Sequence, residues 1–170
     1  MRALVLGGAG CVWADVDAAL GLGEFDMVVA CNDIGALWPG RLDHWASLHP
    51  ERLPKWESER RARGYPGGWV TWAHRAHKGI ARDTGGDWAG SSGLLAVRVA
   101  LEVGASRVVL AGVPLDRDAG HVVRQAAWPS ADAFRKGWKR HEADLIGVRS
   151  MSGWTREFLG APDEEWLAGG

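Results

Sequence analysis

The sequence predicts an α/β fold with a mainly parallel sheet, on three observations. The runs Ala3 to Leu6, Met27 to Cys31 and Arg107 to Leu110 are continuous rather than alternating, as expected of strands buried on both faces. Segments with apolar residues at helical spacing separate them. Glycine, Asn and Asp gather just after the strands, where chains turn. Repeated strand-helix alternation implies parallel pairing through right-handed crossovers. The 170 residues suffice for one domain, residues 1–170, with a core that needs neither disulfide nor metal.

Taken in order, Ala3 to Leu6 is a strand, Gly7-Gly8-Ala9-Gly10 a turn, and Val12 to Leu20 a helix, with Val12, Val16, Ala19 and Leu20 on one face. Met27 to Cys31 is the second strand and ends at Asn32-Asp33, which favour turns and caps. His44 to Leu48 is a third strand, closed by His49-Pro50 because Pro50 drives His49 out of helical geometry. Glu51 to Arg63 follows as a highly charged helix stopped by Gly64. Residues 64–90 hold seven glycines and read as a short strand, Trp69 to Trp72, then an irregular, mobile loop.

Ser92 to Val103 is the strongest helix, apolar on most sides and hence buried. The strand Arg107 to Leu110, a charged helix from Asp132 to Asp144, a closing strand from Ile146 to Arg149 and a last turn from Trp154 to Leu159 complete the chain. Together these elements describe a single Rossmann-like, three-layer domain. Ligands in such sheets bind beyond the carboxyl ends of the strands. Gly7 to Gly10, Asn32-Asp33, His49, Gly112 to Asp116 and Ser150 to Ser152 are therefore expected to converge.

Composition narrows the function. A net charge of -1 with 24% charged residues speaks against a general polyanion binder, so nucleic acid is not the default partner, although 11 tryptophans and a basic 52 to 82 region keep that idea open. Most of the tryptophans are expected to cap the core beneath long loops, a few to line a cleft. Met1-Arg2 runs straight into a short apolar strand, unlike a signal peptide or the roughly 20 apolar residues of a membrane span, which predicts a cytoplasmic protein with no membrane partner. Cys11 and Cys31, the only cysteines, read as reduced thiols.

Gly8-Ala9-Gly10 begins like a dinucleotide fingerprint, but Trp13 stands where the third glycine would permit close helix-strand packing, so NAD is not expected. No P-loop or nucleophile elbow is present. Gly90-Ser91-Ser92-Gly93 opens the strongest helix, and the N-H groups of Ser91, Ser92 and Gly93 would meet an anion there, Ser92 doubling as a helix cap. His49 and His121 are candidate bases. Asp116, with Asp118, could hold a divalent cation bound mainly through ligand phosphates. His74 and His77 lack a ligand set at zinc spacing, so no protein metal site is expected. Arg60, Arg61, Arg63, Arg75, Lys78 and Arg82 form a basic stretch from which one or two arginines could reach a phosphate.

Gly8-x-Gly10 after the first strand, Cys31-Asn32 at the second, Ser92-Gly93 opening a helix into Gly104-Ala-Ser-Arg-Val-Val-Leu-Ala-Gly112, and Val148-Arg-Ser-Met-Ser-Gly-Trp154 at the close resemble the nucleotide-binding core of the small bacterial sialyltransferases. They are also similar to related Rossmann-like proteins that include an archaeal 6-hydroxymethylpterin diphosphokinase. The resemblance touches roughly 50 residues, in short motifs. It implies that Gly8, Gly10, Asn32, Ser92 and Gly93 surround a cytidine nucleotide. The chain departs from the family in two ways. Its loop reads Gly8-Ala9-Gly10-Cys11-Val12 where the family usually has Gly-Asn-Gly-Pro-Ser, and its only tyrosine is Tyr65, so the family's tyrosine pair is absent.

The expectation is a nucleotide or nucleotide-sugar ligand and a transferase moving a glycosyl or phosphoryl group. Gly8, Gly10, Ser91, Ser92 and Gly93 would hold the phosphate, Asn32 and Asp33 the sugar or base, and His49 or His121, with Asp116 nearby, would serve catalysis. A binding or interaction module without turnover is the alternative.

Overall fold

The computed structural model describes residues 1–124 and 127–169. Seven strands, β1 (Arg2–Leu6), β2 (Met27–Cys31), β3 (His44–Ser47), β4 (Val70–Ala73), β5 (Arg82–Asp83), β6 (Arg107–Ala111) and β7 (Val148–Ser150), form one sheet in the order β5-β4-β3-β2-β1-β6-β7. Every pairing is parallel. The helices are α1 (Val12–Leu22), α2 (Ile34–Leu37), α3 (Leu53–Ala62), α4 (Ser92–Glu102), α5 (Ala131–Arg140), α6 (Gly153–Leu159) and α7 (Glu164–Ala168).

The continuous apolar strands serve two cores, as predicted. Ala3, Val5, Met27, Val29, Val108 and Leu110 point to one face and pack with α4 and with Trp138 of α5. Leu4, Leu6, Val28, Ala30, Val109 and Ala111 point to the other, against Val12, Val16 and Ala19 of α1, Ile34 of α2 and Leu53 and Trp56 of α3. This period-two partition makes an α/β/α sandwich. The fold class is the one expected from the sequence.

Several boundaries differ from the expectation. The charged helix begins with a single 3-10 turn, Pro50–Arg52, before α3, and the helix at 132–144 stops at Arg140 and tightens into a 3-10 turn at Glu142–Leu145. Within residues 64–90 the structure adds β5 and a 3-10 turn at Trp88–Gly90. α2 exists because Gly35 lets it lie on Trp45: a Cβ there would sit 2.3 Å from the indole. α7 is capped by the Asp163 carboxylate, which accepts from the Trp166 N-H at 2.7 Å. Trp45, Trp72 and Trp138 are fully buried core residues rather than caps beneath loops. No helix among the described residues is long and apolar enough to cross a membrane.

Trp72 donates its indole N-H to Nδ1 of His44 at 3.1 Å, across the β3-β4 pair. Burial pushes the His44 pKa below its ordinary value; Asp43 opposes the shift and Arg82 adds to it. A histidine held neutral contributes stability above its unfolded pKa of about 6.5 and loses it as pH falls through the lowered folded value. Urea midpoints are therefore expected to fall between pH 7 and pH 5 more steeply in the wild type than in His44→Gln. Parallel curves would remove His44 as the cause.

Candidate functional site

The chain builds β1 to β5 outward on one side of the sheet, then returns through α4 to place β6 on the other side of β1. The crevice between β1 and β6 is thus the point at which strand order reverses, where open α/β sheets bind ligands. A cleft of about 580 Å³ opens there, lined by Gly7 and Gly8 after β1, Asn32 and Asp33 after β2, His49 after β3, Gly90 to Gly93 at α4 and Gly112 and Val113 after β6.

Glycine is required at this junction by geometry. The Gly7 N-H donates to the Ala111 carbonyl at 2.8 Å and the Ala9 N-H to the Gly112 carbonyl at 3.1 Å. A Cβ on Gly7 would sit 2.3 Å from the Gly112 oxygen. Beneath this loop Asp15, buried on α1, accepts through one carboxylate oxygen from the Gly112 N-H at 2.8 Å and the Ser152 hydroxyl at 2.6 Å. Asp15 thereby clamps α1 to the ends of β6 and β7.

Asn32 adopts a left-handed backbone with φ of 55°, a region Asn tolerates better than most residues. Its carbonyl accepts from the Trp45 indole at 2.6 Å, and its side-chain Oδ1 accepts from the buried Ser47 hydroxyl at 2.8 Å. The Ser47 oxygen in turn accepts the His49 N-H at 2.9 Å, so the hydroxyl proton is directed at Asn32. This relay fixes the amide and leaves its NH2 as donors for the cleft.

Ser91, rather than Ser92, caps α4: its hydroxyl oxygen accepts from the Leu94 N-H at 3.3 Å and from the Trp138 indole at 3.1 Å. The Ser91 N-H is itself used by the Trp88 carbonyl at 2.9 Å. The anion cradle therefore narrows to the N-H groups of Ser92 and Gly93, which have no protein acceptor among the described residues. The Ser92 hydroxyl accepts from the Leu48 N-H at 3.3 Å, tying α4 to the end of β3.

His121 reaches the cleft because its segment pairs with the first loop: Val122 donates to the Gly8 carbonyl at 2.9 Å, and a Cβ on Gly8 would meet His121 Nε2 at 2.8 Å. The ring's Nδ1 accepts the Val123 N-H at 3.1 Å, which places the neutral ring's proton on Nε2, 3.3 Å from Asp33. Nδ1 is thus tied to the backbone, and Nε2 faces the Asp33 carboxylate. His49 stands at the exposed rim, 3.7 Å from Glu51.

The cleft thus gathers Gly8, Asn32, Asp33, His49, Ser91, Ser92, Gly93 and His121. Two expected members lie elsewhere. Gly10 is exposed and does not line the cleft, and its N-H donates to the Ala119 and Gly120 carbonyls at 3.3 and 3.4 Å. Asp116 lies outside the cleft, carried past it by Gly112 to Leu115; Oδ1 accepts from Arg135 at 2.8 Å and from the Trp154 N-H at 3.2 Å. It joins α5 to the start of α6. Beside Arg117 and Arg135, the Asp116-Asp118 pair is a poor cation site.

The basic stretch also needs correction. Arg60 is fully buried and donates to the carbonyls of Gly35, Trp38, Gly40 and Pro66, so it organises loops instead of reaching a ligand. The cations that do line the cleft are Arg52, Lys55 and Arg124, joined by the aromatic side chains of Trp56, Trp128 and Phe134. Both thiols are free; burial raises the Cys11 pKa to about 11 and that of Cys31, also in the cleft wall, to about 12. Neither is a ready nucleophile at neutral pH.

The sequence matches no protein-family model and no curated protein. Among solved structures, sialyltransferase CST-II in complex with a trisaccharide acceptor and CMP is similar with a TM-score of 0.65 at 12% identity, over 96% of this chain and 87% of that one. CstII from Campylobacter jejuni in complex with the substrate analogue CMP-3FNeuAc gives 0.59 at 12% identity, over 98% and 87%. At these identities what the chain shares with the sialyltransferases is their α/β fold, through nearly its whole length.

Proposed function

We propose that the cleft binds a nucleotide or nucleotide-sugar and that the protein transfers a glycosyl or phosphoryl group from it. The observation that carries this reading is the meeting, at the reversal of strand order, of the free N-H groups of Ser92 and Gly93 with the Asn32 amide donors. The α4 dipole and these N-H groups suit a phosphate, and the amide suits acceptor oxygens of a sugar or base. The solved neighbours whose fold the chain shares hold CMP or a CMP-sugar analogue. In this reading catalysis rests on holding the donor in line and stabilising its leaving phosphate, with His49, open at the rim, as the base that accepts the acceptor hydroxyl's proton.

A second reading, a nucleotide-binding module without turnover, is favoured by two specific observations. His121 has Nδ1 tied to the Val123 N-H and Nε2 beside the Asp33 carboxylate, and Tyr65 rests against Arg60, 5.6 Å from its guanidinium, away from the cleft. The test has two stages. A panel of nucleotides and nucleotide-sugars at millimolar concentration should raise Tm for at least one member, since a ligand that binds only the native state stabilises it. No shift across the panel would defeat both readings. For the ligand that binds, release of free nucleotide on adding acceptor, lost in His49→Ala, supports the transferase; binding without release supports the module.

A further inference from the structure

We propose that the ligand of this cleft carries a diphosphate, so that the preferred nucleotide is a nucleoside diphosphate or its ester rather than a monophosphate. The inference deepens the nucleotide reading above and rests on it for the nucleoside part.

The charge of the cleft is unlike that of the chain. The protein as a whole has a net charge of -1, yet among the described residues the cleft wall carries Arg52, Lys55 and Arg124 against a single carboxylate, Asp33, which faces His121 at 3.3 Å. Lys55 leans on Glu59 at 3.8 Å and is 78% exposed, so its charge is partly answered at the rim. Arg52 and Arg124 have no carboxylate within pairing distance among the described residues.

These two arginines come from opposite sides of the reversal point. Arg52 follows β3, and Arg124 lies on the segment after β6, two residues beyond the Val122 that is pinned to Gly8. Between β3 and β6 lie β2 and β1, so the strand ends are separated by three strand spacings, about 14 Å. The N-H groups of Ser92 and Gly93 open into the same cleft.

One phosphate seated on α4 with one arginine would leave the other guanidinium facing the same cleft unanswered. A second, linked phosphate gives each arginine fork its own acceptor oxygens, the geometry in which arginine is strongest. A cleft of about 580 Å³ has room for a nucleoside as well as the diphosphate. Trp128 and Phe134 supply aromatic surface for the base.

The experiment is a calorimetric titration of the full chain, at fixed salt, with orthophosphate, pyrophosphate, and paired nucleoside mono- and diphosphates (CMP and CDP, UMP and UDP, GMP and GDP). The expected result is a diphosphate at least tenfold tighter than its own monophosphate, and pyrophosphate tighter than orthophosphate by a similar factor. Arg52→Ala and Arg124→Ala should each reduce that preference to less than threefold while Tm stays within a few degrees of wild type. A preference below tenfold in the wild type, or variants that weaken mono- and diphosphates equally, would overturn the inference while leaving nucleotide binding intact. Tight pyrophosphate binding with no nucleotide bound would uphold the diphosphate cleft and defeat the nucleotide reading.

Discussion

Arg60→Ala is expected to lower stability by about 3–5 kcal/mol, because it leaves several buried or half-buried carbonyls without their donor at roughly 1–3 kcal/mol for each that water cannot reach. Arg60 is fully buried, and its guanidinium holds the carbonyls of Gly35, Trp38, Gly40 and Pro66, which belong to the segments around α2 and after α3. Removing it strands four acceptors and opens a cavity beside Trp69, whose ring lies 5.5 Å from the guanidinium. Lysine at this position is expected to restore less than half of the loss, because an ammonium cannot present a planar fork to carbonyls arranged around it. Urea denaturation of the three proteins measures both quantities. A loss below about 1 kcal/mol for Arg60→Ala would show that water satisfies those carbonyls.

Gly112→Ala is expected to destabilise by about 3–5 kcal/mol, combining a left-handed backbone with an overpacked contact. Gly112 has φ of 73°, and a Cβ would lie 2.6 Å from both the Gly7 oxygen and the Val12 Cβ. Two strand ends meet here, so any relief must move the floor of the cleft. The variant should therefore lose ligand affinity as well as stability. By contrast Gly21→Ala, on an open helical surface where a Cβ meets nothing within 4 Å, should be neutral or slightly stabilising. Equal losses for the two variants would contradict the local account.

What the sequence made legible follows from physics. β1 and β2 are readable because strands buried on two faces leave no polar gaps, and the boundaries Met27–Cys31 came out to the residue. α2, α7 and β5 span four, five and two residues. Such lengths are too short for a period to show, and tertiary contact creates them. In the cleft, Gly8, Asn32, Ser92 and Gly93 were accessible because strand ends and helix starts announce themselves by residue type. Arg52 and Lys55 were hidden in a charge-rich helix, where a cation facing a cleft looks like one facing water. Arg60 did leave a signal: it follows Leu53 and Trp56 at helical spacing, on the buried face of α3. Asp116 looks like part of the strand end in the sequence, but the four residues after β6 carry its side chain past the cleft to α6.

If the first N-H groups of α4 bind the phosphate of a nucleotide, Ser92→Pro must weaken that binding. Ser92 is the first helical residue, where proline is accepted, and Ser91 before it is extended, with φ of -101° and ψ of 107°, as a residue preceding proline must be. The substitution removes one N-H donor and keeps the helix, while Ser92→Ala controls for the lost hydroxyl. In a titration with the best nucleotide of the panel, Ser92→Pro is expected to bind at least tenfold more weakly than Ser92→Ala at comparable Tm. Equal affinity of the two variants would contradict it.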